Sequence, residues 1–278
     1  MTEHWIIIAT KWWDGNRANM QNTALLYASS KWYVWAVKKL IEEWVNINDK
    51  DSEWRTALMV ASQANQIEVV KILLDSWAGV NDKNNEWRTA LMYAWGEWNI
   101  EIMELLLRNW AEVDKKNNNK RTALMITVVE GYTEAAKFFI ENWAEINVQN
   151  IEWFSTLMLA VQENNIEITE LLIKNWADVN ITMNQWVSAL MLAVQEDNTV
   201  IADLLIKNWI DINMKENQTW QTALTIASAL WYKVMTLMLI ECWADVNAIT
   251  NDWFSALKFA EQENNTEIVE LLKNYTST

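Results

Sequence analysis

Proline is missing altogether from this chain of 278 residues, glycine occurs four times, and cysteine and histidine once each. Each shortage closes a class of chemistry. His4 stands alone near the start, so neither a Ser-His-Asp nor a Cys-His arrangement can be assembled. Cys242 has no second thiol, which excludes an intrachain disulfide and suits a reducing compartment; before a loop at the end of a helical stretch it reads as structural. Metal sites need clustered His, Cys or carboxylates, and no such spacing occurs. Carboxylate pairs such as Glu42 with Glu43 read as solvated faces. So few glycines build no phosphate loop, and no cofactor is expected. Positive charge is also scarce: 22 Lys and Arg against 37 Asp and Glu leave a net charge of −15. That sign is wrong for nucleic acid or an anionic membrane, and a basic or neutral partner fits it better. Long hydrophobic runs are lacking too. The run from Trp5 to Ile8 is too short for a signal peptide or a membrane span, and it follows Glu3 where a signal peptide carries positive charge. The chain is expected to be soluble, with no recognisable export signal.

What the chain does have is a period. Trp44, Trp77, Trp110, Trp143, Trp176, Trp209 and Trp243 recur every 33 residues with one step of 34, inside phrases like Asn-Trp-Ala-Asp-Val-Asn. At the same spacing runs a helix opening, Thr-Ala-Leu-Met or a near copy, at Thr23, Thr56, Thr89, Thr122, Ser155, Ser188, Thr222 and Ser255. The one register slip is an extra residue between Asn213 and Thr222. No Gly/Ser-rich linker or charge block interrupts the array.

The unit from Thr89 to Arg121 shows the logic. A hydroxyl at Thr89 can accept backbone N–H groups at a helix start, which explains Thr or Ser in every copy. Ala90 to Ala94 then form a short first helix. Ile100, Ile102, Met103, Leu105, Leu106 and Leu107 recur at helical spacing in a longer second one. Glu101 and Glu104 near its start and Arg108 near its end suit the helix dipole. Neither helix can bury its apolar stripe alone, so stability must come from stacking, with Leu25, Leu58, Leu91, Leu124, Leu157, Leu190, Leu224 and Leu257 in one core column. The column Met59, Met92, Met125, Met158 and Met191 reads as packing between first helices. Residues 1–22 read as a partial repeat, second helix and closing loop; 23–254 as seven repeats; and 255–278 as a C-terminal capping repeat, because Lys258 puts a charge where Met or Leu is usual. The C-terminus is expected to be a natural end.

A unit of turn plus two helices, opening on Thr-x-Leu and closing on Ala-Asp-Val-Asn, resembles the ankyrin repeat over nearly the whole chain. The resemblance implies an all-α solenoid of helix-turn-helix units joined by extended β-hairpin-like loops, acting as a binding scaffold. It also implies glycine at three slots where this chain carries tryptophan. The first is the exit from each second helix, the seven tryptophans above. The second is the loop tip before each cap: Trp54, Trp87, Trp153, Trp186, Trp220 and Trp253, with Lys120 once. The third is the turn between helices, with Trp32, Trp98 and Trp231 in three copies and Gly131, Asn65, Asn164, Asp197 or Asn264 in the others. Those alternatives tolerate a left-handed backbone. A bulky residue there costs roughly 1–2 kcal/mol, so the seven helix exits alone would cost on the order of 10 kcal/mol, comparable with the roughly 5–15 kcal/mol that holds a domain together. UGA differs by one base from the glycine codon GGA, and some genetic codes read it as glycine where others read tryptophan. Decoding UGA with the wrong table is therefore the expected origin of sixteen of the 21 tryptophans, and the Asn-, Ile- and Lys-rich composition fits an AT-rich genome.

In ankyrin proteins the partner lies against the loop fingertips and the exposed ends of the first helices, on the concave side. At those positions this chain varies. Arg55, Arg88 and Arg121 precede the early caps, then Phe154, Val187, Gln221 and Phe254 follow, so the groove is expected to change from basic to apolar. The ends of the first helices carry Glu97, Glu130, Glu163, Glu196 and Glu263. The expectation is a non-enzymatic, monomeric scaffold that binds a protein offering a basic segment beside an apolar anchor, with Phe154 and Phe254 as exposed contacts. The alternative is a structural spacer or docking arm of a larger protein. Location is expected to be the cytoplasm, or a host cell reached without a signal peptide, the latter by analogy with ankyrin proteins of bacteria that live on or in other cells.

Overall fold

A computed structural model describes the backbone of residues 17–96 and 99–276, and the side chains from residue 22 onward within them. The segment 1–16, with His4, and the pair Glu97 and Trp98 lie outside the described residues. Two compact units make up the chain, Met1–Ala144 and Glu145–Thr278.

The first unit holds helices α1 (Arg17–Ser30), α2 (Val34–Glu42), α3 (Ala57–Gln63), α4 (Ile67–Asp75), α5 (Ala90–Tyr93), α6 (Ile100–Arg108), α7 (Ala123–Val129) and α8 (Thr133–Glu141). The second holds α9 (Thr156–Gln162), α10 (Ile166–Lys174), α11 (Ala189–Gln195), α12 (Thr199–Lys207), α13 (Ala223–Ala229), α14 (Lys233–Glu241), α15 (Ala256–Gln262) and α16 (Thr266–Thr276). Odd-numbered first helices and even-numbered second helices form antiparallel pairs. Within each unit the first helices also pack on one another in a row, and neighbouring second helices do so from α2 to α6 and from α10 to α16. No strand occurs among the described residues; isolated bridges such as Gln149 with Ser155 are what the hairpin-like loops contribute.

Seven of the eight predicted caps are present. Thr56, Thr89, Thr122, Ser155, Ser188, Thr222 and Ser255 sit in extended backbone, and each side-chain oxygen accepts the N–H three residues on, as from Thr89 to Met92 at 3.4 Å. Thr23 is the exception. It lies inside α1, which starts at Arg17, because Arg17 to Asn22 contain good helix formers and neither proline nor a loop phrase to stop the helix. The Leu column is buried from Leu25 to Leu224, while Leu257 is only half-buried and Lys258 is exposed on the terminal helix pair. The Met column is buried throughout.

The tryptophans of the three slots take the backbone expected of glycine. Trp44, Trp77, Trp110, Trp143, Trp176, Trp209 and Trp243 have φ between 61 and 70°, each one residue beyond a second-helix C-cap. At α4 the Trp77 N–H donates to the Leu74 carbonyl at 3.0 Å and the Ala78 N–H to the Leu73 carbonyl at 2.9 Å, a Schellman closure repeated at the other six exits. The loop tips Trp54, Trp87, Trp153, Trp186, Trp220 and Trp253 and the inter-helix turns Trp32 and Trp231 also have positive φ, alongside Gly131, Asn65, Asn164, Asp197, Asn264 and Lys120 in equivalent slots. At about 1 kcal/mol or more apiece, fifteen such tryptophans come to on the order of 15 kcal/mol, the whole stability of an ordinary domain.

Candidate functional site

The fingertips are tight loops, closed by a polar side chain except at Met183, where the backbone bond to the Val187 carbonyl remains. Asp51 Oδ1 accepts the N–H groups of Glu53 and Arg55 at 2.9 and 2.8 Å, and the Asp51 N–H donates back to the Arg55 carbonyl at 3.1 Å. Asn84, Asn117 and Asn150 repeat this around Arg88, Arg121 and Phe154. The geometry holds the residue before each cap beside the start of a first helix. Phe254 accordingly stacks on Phe259 with ring centroids 5.2 Å apart.

The loop with the extra residue uses a longer acid. Glu216 replaces the Asp or Asn and accepts from the N–H groups of Gln218, Thr219 and Gln221 and from the Thr219 hydroxyl. Burial pushes this carboxyl up, but the four hydrogen bonds outweigh it and hold the group below its usual range.

Arg55 is pinned. Its Nε donates to Asp51 Oδ2 at 2.8 Å and its remaining nitrogens pair with Asp51 at 2.8 Å and Glu53 at 3.4 Å. Burial opposes the guanidinium charge, and the Asp51 hydrogen bond and both carboxylates overcome it, so its pKa is raised. Arg88 pairs with Glu86 at 3.0 Å. Two of the three basic fingertips, Arg55 and Arg88, are thus matched by acids of their own loops. Arg121, Phe154, Val187, Gln221 and Phe254 are half-buried. The two phenylalanines are therefore less open than expected, and Phe254 lies against Phe259 of its own repeat. Lys258 sits 4.2 Å from the Phe254 ring centroid.

Glu130, Glu163, Glu196 and Glu263 are all exposed C-caps, of α7, α9, α11 and α15. The corresponding Glu97 follows α5, which is four residues long. The six-residue offset from the cap explains the short helix. It is buried as Ser62, Val128, Val161, Val194 and Ser228 elsewhere, but in this repeat it is Trp95, whose indole stays half-buried and meets Tyr132 at 5.5 Å. Gly96 follows it and further weakens the last turn.

A cleft of about 560 Å³ opens between α1, α3 and the first fingertip, lined by Tyr27, Lys31, Asp51, Arg55 and Gln63 among others. Of these only Arg55 was anticipated. Tyr27, 42 % exposed, lies four residues after Thr23, the offset at which Phe259 meets the Phe254 fingertip. That offset is the signal that could have found it.

Among the described residues no group of three or more His, Cys, Asp or Glu could hold a metal ion, and no helix is long and apolar enough to cross a membrane. No curated protein matches the chain. A family model for ankyrin repeats, three copies long, matches residues 6–84, 25–119, 76–150 and 157–250. With caps, helix pairs and hairpin-like loops all in that register, the chain belongs to the ankyrin-repeat family.

Proposed function

We infer that the chain is a protein–protein recognition scaffold that takes its partner along the fingertips and the exposed ends of the first helices. Ankyrin repeats are in general interaction modules, and the finer reading rests on one observation. Glu130, Glu163 and Glu196 stand exposed at helix C-caps, where the helix dipole disfavours a negative charge by about 0.3–1 kcal/mol. Folding gains nothing from them there, and none of the three forms an ion pair among the described residues. A partner with a basic segment supplies the missing reason. Phe154, Val187 and Phe254 offer half-buried apolar surface for an anchor beside it, with Arg55, Arg88 and Arg121 at the other fingertips. The scaffold acts as a monomer, without catalysis or cofactor.

Calorimetric titration with extended peptides tests this. Peptides pairing Lys or Arg with Leu or Phe are expected to bind more tightly than charge-reversed versions, and Glu163→Gln with Glu196→Gln is expected to erase the preference. Equal binding of both peptide sets would refute the partner chemistry. A preference that survives the double variant would move the site off this face.

A further inference from the structure

The fifteen tryptophans with positive φ have no structural use for an indole. The seven at the helix exits are 85 to 94 % exposed, and among the described residues none of the fifteen stacks on another ring. Among the described residues the ring partners are Lys50, Lys83 and Lys215, over Trp54, Trp87 and Trp220 at 4.7 to 5.9 Å, contacts in solvent that are too weak to offset a left-handed backbone at a bulky residue. Elsewhere in the same slots stand Gly131, Asn65, Asn164, Asp197 and Asn264, residue types that enter this region with least strain, and Lys120 once. The conformation also sorts the tryptophans from one another. Trp95, at negative φ, is half-buried and packs on Tyr132; the strained ones project into water.

We propose that these fifteen positions are glycine in the protein as its own cell makes it, each encoded by UGA read there as glycine. A UGA and a GGA codon differ in one base, so one reassignment accounts for all fifteen, whereas independent mutation to tryptophan would have to strike the same three backbone slots repeatedly and spare the columns of the core. The assignment also defines the interaction surface. Loop tips that end in glycine present bare backbone to a partner, and recognition falls to the flanking Arg55, Arg88, Phe154 and Phe254 rather than to a ladder of indoles.

Peptide mass spectrometry on protein purified from its native source, across residues 141–180, decides the matter. Glycine at positions 143, 153 and 176 is the expected result, and tryptophan at these positions overturns the proposal. A second readout needs no native material. Trp143→Gly and Trp176→Gly, introduced singly into the chain as written, are each expected to raise the unfolding midpoint by about 2–4 °C. An unchanged or lowered midpoint for both would mean that the indoles are accommodated, and would remove the physical argument.

Discussion

The side chain of Asn81 clamps the backbone around Glu112 in the next repeat: its Oδ1 accepts the Glu112 N–H at 2.8 Å while its Nδ2 donates to the Trp110 carbonyl at 2.9 Å. Asn147 and Asn180 make the same pair of bonds, to Asp178 with Trp176 and to Asp211 with Trp209. In these repeats the closing asparagine is thus the tie between one loop and the next. Asn81→Ala leaves a backbone N–H and a carbonyl without their partner and is expected to cost about 1–2 kcal/mol, measured by urea denaturation. Asn81→Asp keeps the acceptor and loses the donor, so it should fall between the two.

Caps at the first helices carry a second prediction. Thr122 is fully buried and its hydroxyl accepts the Met125 N–H at 3.3 Å. Thr122→Ser should be close to neutral in thermal unfolding, and Thr122→Ala should cost about 1 kcal/mol. Equal effects of the two would assign the position to methyl packing instead.

Glu216 should make stability depend on pH. Its folded-state pKa lies below the ordinary carboxylate value of 4.5, so its contribution is present above that value and is lost as pH falls through the lower, folded pKa. Glu216→Gln is therefore expected to destabilise most at neutral pH, with the gap to the parent chain closing in acid. Denaturation at pH 7 and at successively lower pH checks it; a gap that widens in acid would contradict the hydrogen-bonded carboxylate.

The acidic C-caps separate binding from folding. Replacing Glu130, Glu163 and Glu196 together by Gln should leave the thermal midpoint unchanged or slightly higher, because three charges unfavourable to the helix dipole are removed. Affinity for a basic peptide should fall, most steeply at low salt, where screening is weakest. Unchanged affinity would assign these residues to solubility.

Much of this architecture was legible because a repeat writes its own alignment. Thr89 or Ser155 means little alone, but a hydroxyl before Ala-Leu-Met or a near copy, eight times at one spacing, identifies a cap. Thr23 shows the limit, since Thr23-Ala24-Leu25-Leu26 is a near copy of the phrase and yet the residue lies inside α1. A cap depends on what precedes it, and here the helix runs from Arg17 through Asn22 into Thr23.

The period, the cap residues and the slots requiring a left-handed backbone were determined by sequence alone, because each is a local demand made on a few neighbouring residues and then repeated. Tertiary structure alone decided how the fingertips are neutralised and filled. Arg55 becomes locked to Asp51 and Glu53, Phe254 turns onto Phe259, and Tyr27 comes to line a cleft with Arg55, 28 positions along the chain. These outcomes depend on which side chains stacking brings within a few ångströms, a distance that spacing along the chain does not specify.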